Sequence, residues 1–218
     1  DKNHSTGVAG IMVNEKTGDN AINIIPGAAG TLTNDDIEKN LNFIAKAEIF
    51  LTQLETPYKV TSYALKKAKE KGLTTILNPA PACEIDDDDF KLIDFFTPNE
   101  TEAEFYLNKK IETEKDIKLA SEEFLKNGIK NIVITLGDKG CYFANDKENF
   151  FMNAFKLKQP VIDTTGAGDA FNGALAVGLS KDFDIKEVLT FANKVGAIST
   201  TKQGAAASMP SMEDLNNY

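Results

Sequence analysis

The chain has 218 residues, of which 42% are hydrophobic and 26% are charged, and its formal net charge is −9. These values are ordinary for a water-soluble domain with a sizeable core, whereas the acidic balance argues against a nucleic-acid partner or an anionic membrane surface. No apolar run approaches the roughly 18 residues of a membrane span and no signal-peptide pattern is seen, so we predict a cytoplasmic protein. His4 is the only histidine, which excludes histidine triads and multi-histidine metal sites. Cys83 and Cys141 lack companion metal ligands and are predicted to be free thiols.

The first segment predicts a β-hairpin followed by a helix. Residues 7–14 and 20–25 are short strand-like runs, and Gly18-Asp19 favours a tight turn between them. Thr33, with Asp36 three residues later, forms an N-terminal capping pattern, and the apolar spacing predicts a helix to about Lys46.

Strands and helices then alternate along the chain. Strands are predicted at residues 48–54, 73–77, 93–97 and 129–136, with a second hairpin at 141–144 and 149–152. Helices are predicted from Thr56-Pro57 to 71, at 99–107, at 114–126 after the cap Thr113, from Ala170 onward and at 184–200, with a short acidic helical turn at 86–92. This order predicts parallel pairing and a three-layer α/β/α sandwich, a single domain over residues 1–218 with residues 7–25 as a hairpin at its edge.

Polar and glycine residues follow several of these strands. They are Glu55, Asn78, Asn99, Thr135 to Gly140, and Gly166 to Asp169. Because ligands of such sheets bind at the carboxyl ends of the strands, one crevice could collect these residues.

The stretch from 161 to 179 carries the most chemistry. Gly166 and Gly168 let the backbone approach a ligand closely, and the helix that follows would place its N-terminal N–H groups toward an anion such as phosphate. Asp169, inside this turn, would then be a base that accepts a proton from an attacking hydroxyl. The alternative is a tight loop in which Asp169 only caps the helix.

The segment DTTGAGDAFNGAL closely resembles the C-terminal signature of the ribokinase family of ATP-dependent sugar kinases. Further similar segments follow one another along nearly the whole chain: STGVAGIMVN, QLETP, NPAPA, TPNETEAE, VITLGDKG and KQGAAASMP. The resemblance implies a ribokinase-like α/β fold and ATP-dependent phosphorylation of a sugar primary hydroxyl, with D-ribose giving D-ribose 5-phosphate as the leading reaction. Fructokinase-type, ketodeoxygluconate kinase-type or nucleoside kinase activity, and a non-catalytic nucleotide-binding module, remain alternatives.

The resemblance also implies roles for individual residues. Asp169 would be the catalytic base and contact the sugar, Gly166, Ala167 and Gly168 would form the anion hole, and Glu55 would contact the sugar, although Glu55 could equally be a capping or solvated carboxylate. ATP would be bound by Asn99, Thr135, Leu136, Gly137, Asp138, Lys139, Gly140, Gly168 and Asn193. Glu102, with Asn99, would organise Mg²⁺, although an acidic helix start explains this pair equally well. A monovalent cation, K⁺ by expectation, would be held by Asp163, Thr165, Ser199, Lys202, Gly204 and Ser208, largely through backbone carbonyls.

The chain departs from the family pattern at its front. The family's first strand, its sugar-binding turn, most of its lid and its glycine-rich sugar loop have no counterpart before Asp1. On this resemblance we expect the C-terminal portion of a longer kinase, one that forms a homodimer. We expect the 218 residues alone to bind ATP·Mg²⁺ weakly and to have little or no ribose kinase activity.

Overall fold

The computed structural model describes residues 2–13, 20–181 and 183–218. They fall into two compact units, which are treated separately below. The first unit comprises the residues up to Gly7, Pro26–Gly137 and Cys141–Phe151; the second comprises Val8–Ile25, Asp138–Gly140 and Met152–Tyr218, with the gaps just given.

A two-stranded sheet and one helix form the start of the chain. Strands β1 (Thr6–Val13) and β2 (Asn20–Gly27) pair with each other, and the turn predicted at Gly18-Asp19 lies outside the described residues. A 3-10 turn (Ala28–Thr31) leads to helix α1 (Asn34–Ile44). The predicted cap is confirmed, because the Thr33 side chain accepts from Asp36 N while the Asp36 carboxylate accepts from Thr33 N.

The main sheet has six strands in sequential order. They are β3 (Ile49–Thr52), β4 (Thr74–Leu77), β5 (Phe95–Phe96), β6 (Asn131–Thr135), β7 (Cys141–Asn145) and β8 (Asn149–Met152). Strands β3 to β6 are parallel, as predicted, and β7 runs antiparallel to β6 with Thr135 opposite Cys141. Strand β5 is shorter than predicted because Ile93 N closes the preceding 3-10 helix (Asp87–Leu92) on Phe90 O.

Besides α1, three described α-helices belong to the same unit as most of this sheet. They are α2 (Tyr58–Glu70), α3 (Glu100–Leu107) and α4 (Glu114–Lys126), and Thr113 caps α4 as predicted. The cap predicted at Thr56 is wrong, because Pro57 occupies the N-cap position of α2 and cannot supply a capping side chain. The Thr56 hydroxyl instead lies 2.7 Å from the Thr61 hydroxyl.

The core of the first unit combines aliphatic strand residues with aromatic rings in edge-to-face contact. Leu77, Ile132 and Ile134 from the strands are fully buried beside Phe96 and Phe124, whose rings meet edge to face at 5.3 Å. This packing holds the strands rigidly, so the loops at their carboxyl ends have fixed starting points.

An ion cluster lies at the amino ends of these strands, around the buried carboxylate of Asp94. The Asp94 carboxylate is 2.7 Å from both Lys69 Nζ and Lys130 Nζ and accepts from Thr75 N at 2.9 Å. Burial raises the pKa of Asp94, but the hydrogen bonds from Lys130 and Lys69 outweigh it, so the pKa lies below its usual value.

The described part of the second unit contains three further α-helices. These are α5 (Ala167–Ser180), α6 (Ile185–Ser199), which packs along α5, and the short α7 (Met212–Asn216), which contacts α6. Residues 153–166 contain no strand, so the expectation that Gly166 to Asp169 follow a strand is wrong. Within the described residues, no helix is both long and apolar enough to cross a membrane.

Candidate active site

A chain of amide side chains connects the carboxyl ends of three parallel strands in the first unit. Gln53 Nε2, just after β3, donates to Asn78 Oδ1 at 2.9 Å, and Asn78 Nδ2 donates to Thr97 O at 3.0 Å. Asn78 is buried, so its amide is fixed by these bonds. Glu55 follows Gln53 after one residue and is exposed to solvent.

Asn99 and Glu102 form a reciprocal capping box at the start of α3. Asn99 Oδ1 accepts from Glu102 N and Glu102 Oε2 accepts from Asn99 N, each at 2.8 Å. Asn99 also forms a parallel bridge with Thr135 at the end of β6, where Thr135 N donates to Pro98 O at 3.0 Å. The first unit therefore brings Asn99, Glu102 and Thr135 together, as the resemblance implies.

The Glu102 carboxyl group is half-buried and electrostatically unusual. Burial raises its pKa from 4.5 to about 6, and the hydrogen bond from the Asn99 backbone opposes that rise only in part. The capping role that the sequence left open is thus present in the structure. A carboxylate held in this poorly solvated position also has a strong need for a cation.

The turn after β6 is formed by a 3-10 helix (Gly137–Lys139). Its last carbonyl, Lys139 O, accepts from Ala154 N at 3.2 Å. Gly140 has φ 103°, and a Cβ at this position would lie 2.1 Å from Met152 O, so only glycine fits. The end of the turn is therefore pinned by the backbone around Met152 and Ala154.

Helix α5 begins in a way that sets it apart from the helices with capping boxes. Gly166 is its N-cap residue with φ 77°, and no side chain caps the helix there. Asp169 is exposed in the first turn, three residues after the N-cap. The first-turn N–H groups carry the positive end of the helix dipole, so this end of α5 is suited to an anion.

Comparison with the capping boxes bears on the alternative role of Asp169. Five of the described helices begin with a capping box: α1, α3, α4, α6 and α7. In each, the carboxylate of an acid at the third helical position accepts a hydrogen bond from the backbone N–H of the N-cap residue, and the N-cap side chain accepts one from the backbone N–H of that acid. Asp169 occupies the same third position, but Gly166 has no side chain to reciprocate. Asp169 is therefore not the N-cap residue of α5.

The segment before Gly166 is held against the chain that follows α6. Ile162 N and Asp163 N both donate to Thr200 O, at 2.8 and 3.1 Å, and Gly204 N donates to Asp163 Oδ2 at 2.8 Å. The nearby Thr165 hydroxyl, together with the hydrogen bonds that Gly204 N and Thr165 N donate, lowers the pKa of the buried Asp163 carboxyl. The second unit thus brings Asp163, Thr165 and Gly204 together.

The Thr165 hydroxyl stands out in this region. It lies near the Asp163 carboxylate, yet its buried Oγ1 makes no hydrogen bond of normal geometry with any described residue. An unsatisfied buried oxygen beside a carboxylate is a feature that a bound cation would relieve. The donor set therefore fits a cation.

The remaining residues of the implied cation site vary in their surroundings. Ser199 and Ser208 are fully buried and donate to Gly196 O and Ala205 O, at 2.8 and 2.7 Å. The Lys202 side chain forms an ion pair with Asp214 at 3.0 Å, so only its backbone is available to a cation. Asn193, implied to lie beside the nucleotide, is nine-tenths buried on α6.

Two residues with structural ties to the site were not singled out from the sequence. Gln53 extends the amide chain at the strand ends, and Asn172 on α5 donates from Nδ2 to Gly168 O at 2.9 Å. The available signal for Asn172 was a lone amide in an otherwise apolar helical run.

Among the described residues there is no cluster of three or more histidine, cysteine, aspartate or glutamate side chains that could hold a metal directly.

Comparison with known proteins places this geometry in a family. The model of the pfkB family carbohydrate kinases matches residues 1–212. Ribokinase of Staphylococcus aureus is 40% identical over 212 residues, which cover 97% of this chain and 69% of the relative, and deoxyribokinase of Salmonella typhi is 34% identical over 98% of this chain and 69% of the relative. The solved structure of Arabidopsis thaliana ribokinase complexed with ribose and ATP is 30% identical, with a TM-score of 0.86 over 99% of this chain and 69% of that one. The predicted ribokinase-like α/β fold is confirmed.

Proposed function

The chain belongs to the pfkB family of carbohydrate kinases, and we propose that it transfers the γ-phosphoryl group of ATP to the primary hydroxyl of D-ribose, forming D-ribose 5-phosphate. The names of its relatives support ribose as the substrate, because one of these relatives, at 40% identity, is a ribokinase. The deoxyribokinase at 34% identity makes 2-deoxyribose the second candidate.

The observation that carries the proposal is the start of α5. The N-terminus of α5 has no capping side chain at Gly166, which adopts a left-handed conformation, and the exposed carboxylate of Asp169 lies in the first turn. In the proposed reaction the N–H groups of the stretch from Gly166 to Gly168 stabilise the negative charge that develops on the transferring phosphoryl group. Asp169 accepts the proton of the sugar hydroxyl as that oxygen attacks the γ-phosphorus, whose bond to the β–γ bridging oxygen breaks so that ADP leaves.

We assign nucleotide binding to two places that precede α5 in the chain. The pinned turn from Thr135 to Gly140 would lie along the nucleotide, and Asn99 would contact its phosphates. Asn193 is assigned to the side of adenine and ribose, and Gly168 to the phosphates.

Mg²⁺ bound to the ATP phosphates would neutralise charge during the transfer. The residues fit such an ion held through water, because Glu102 is a poorly solvated carboxylate next to the exposed Asn99.

A monovalent cation is assigned to the region of Asp163, Thr165, Ser199, Lys202, Gly204 and Ser208. The unsatisfied Thr165 hydroxyl and the buried Asp163 carboxylate support this site. By binding backbone carbonyls there, the ion would fix the segment that leads into Gly166. K⁺ is the expected ion.

Glu55 is assigned a contact with the sugar.

A homodimer is proposed as well. It is supported by three apolar residues on β1 and β2 that are each more than 60% exposed: Val8, Met12 and Ile25. Light scattering at high protein concentration tests the dimer; a clean monomer would contradict it.

The proposed activity is tested by incubating the protein at high concentration with radiolabelled ATP, Mg²⁺, K⁺ and one sugar at a time. We expect label in ribose 5-phosphate, with 2-deoxyribose as the comparison and glucose as a control sugar. Transfer to 2-deoxyribose in preference to ribose would reassign the substrate. Binding of ATP without transfer to any sugar would support the non-catalytic module instead.

A further inference from the structure

The amide side chain of Asn172 is buried inside helix α5. Only 3% of the residue is exposed, and it lies between Phe171 and Gly173 in a helix that is otherwise rich in apolar residues. Asparagine is a weak helix former, and burying an amide costs free energy unless its hydrogen bonds are made. Packing alone therefore gives no reason for an amide at this position.

The Asn172 side chain is directed at the first turn of the same helix. Its Nδ2 donates to the Gly168 carbonyl at 2.9 Å, four residues earlier. That carbonyl is also the regular helical acceptor for the backbone N–H of Asn172. Gly168 O is therefore the acceptor of two hydrogen bonds in place of one.

The carbonyl of Gly168 and the N–H of Asp169 belong to one peptide group. In a helix the carbonyl points toward the C-terminal end and the N–H points out of the N-terminal end. A hydrogen bond to the oxygen of a peptide polarises the group and makes its N–H a stronger donor. The Asn172 amide thus acts on the first-turn N–H of Asp169, the next one along the chain from the stretch that is proposed to stabilise the phosphoryl group.

We propose that Asn172 is a positioning residue for phosphoryl transfer, whose side chain fixes and polarises the Gly168–Asp169 peptide so that its N–H stabilises charge on the transferring phosphoryl group. The inference rests on the proposed kinase function. It adds a residue that touches neither substrate, and it predicts an effect on the transition state rather than on the binding of ATP.

The size of the effect follows from two general magnitudes. One donor to a developing oxyanion is worth about 10²–10³ in kcat. A second hydrogen bond to the same peptide group strengthens the bond that its N–H donates by about 10–30%. About 10–30% of the logarithm of that factor in kcat corresponds to a loss of roughly 2- to 8-fold for Asn172→Ala. The KM for ATP should remain within about 2-fold of that of the wild type, since ground-state binding gains little from this N–H.

Serine provides the rescuing variant. A serine hydroxyl in a helix bonds to the carbonyl four residues earlier, as Ser121 Oγ does to Ile117 O at 2.9 Å in α4. Asn172→Ser restores a donor to Gly168 O, whereas Asn172→Ala does not. Ser121→Ala is the matched control, because it removes a bond of the same kind from a helix outside the proposed site.

The experiment compares these variants with the wild type in kcat, in KM for ATP, and in affinity for ADP with aluminium fluoride, a planar mimic of the transferring phosphoryl group. We expect Asn172→Ala to lose kcat and affinity for the mimic, with unchanged affinity for ADP alone, and Asn172→Ser to regain most of both. Equal losses in Asn172→Ala and Asn172→Ser, or a loss of ADP affinity of the same size, would show a structural role and overturn the proposal. Unchanged kcat and mimic affinity in Asn172→Ala would also overturn it. A wild type that transfers no phosphoryl group and does not bind the mimic would instead contradict the proposed kinase function.

Discussion

Replacing Glu102 with glutamine should make the protein more stable at neutral and alkaline pH. Burial raises the pKa of Glu102 from 4.5 to about 6 in the folded protein. The folded state therefore binds more protons than the unfolded state between these values, and stability falls as the pH rises through that window. Above it, the folded protein carries a carboxylate that would be better solvated in the unfolded chain.

The magnitude follows from the shift. A difference of about 1.5 pKa units corresponds to about 2 kcal/mol of unfolding free energy at pH 8. Glutamine can keep the hydrogen bond from Asn99 N, which is 2.8 Å long in the wild type, but it loses the favourable interaction of a carboxylate with the helix N-terminus, worth about 0.3–1 kcal/mol. The net expectation for Glu102→Gln is a gain of about 1–2 kcal/mol at pH 8.

Urea denaturation in the presence of a metal chelator measures the unfolding free energy of the wild type and of Glu102→Gln at pH 8 and at pH 4. At pH 4 the folded wild type carries a protonated Glu102, so the difference in unfolding free energy between the two proteins should disappear. A variant that is less stable than the wild type at pH 8, or a gain that does not shrink toward pH 4, would refute the reasoning. In Mg²⁺ buffer the same variant should bind ATP more weakly, because the proposed water-mediated contact to the metal loses its charge.

Three further outcomes are expected. Asp94→Ala should lower the unfolding free energy by about 2–4 kcal/mol, because it leaves the buried N–H of Thr75 and the partly buried Lys69 ammonium without this acceptor. Asp88→Ala removes only an exposed ion pair and should leave the urea midpoint unchanged. Gly140→Ala should lower the unfolding free energy by roughly 3 kcal/mol or more, since its Cβ would collide with backbone atoms. Gly137→Ala, which has open space around its Cβ, should lower it by only about 1–2 kcal/mol. Equal losses for the two variants in urea denaturation would contradict the close packing described at Gly140. Replacing K⁺ with tetramethylammonium should slow phosphoryl transfer. In tetramethylammonium, Thr165→Val should be at least as stable as the wild type, because the variant lacks an unsatisfied buried hydroxyl. A large loss of stability in Thr165→Val under these conditions would show that the hydroxyl is already hydrogen-bonded.

Local chemistry made much of the fold predictable from the sequence. Thr33 and Thr113 cap their helices as predicted, because a capping box is completed within four residues. The alternation of strands and helices correctly predicted the parallel order of β3 to β6. The predicted cap at Thr56 is wrong because Pro57 takes the N-cap position of α2. Which of the two residues takes that position depends on the path of the chain between β3 and α2, which a capping pattern does not contain.

The candidate site was less accessible to such reasoning. The bond between Gly204 N and Asp163 joins residues 41 positions apart, and no local pattern predicts it; these residues were named through family resemblance. Asn172 went unnoticed because helical periodicity records only whether a position is apolar and cannot show where a buried amide is directed.

The central claim is that Asp169 is the base of a sugar kinase, and Asp169→Asn tests it most directly. Asparagine keeps the size of the side chain but cannot accept the hydroxyl proton, so kcat for ribose should fall by roughly 10²–10⁴. Rates are compared as ratios at high enzyme concentration, so a slow wild type suffices, and ATP affinity measured in parallel should change little. A kcat near that of the wild type would contradict the account, because asparagine serves a helix N-terminus about as well as aspartate and only a capping role would survive the change.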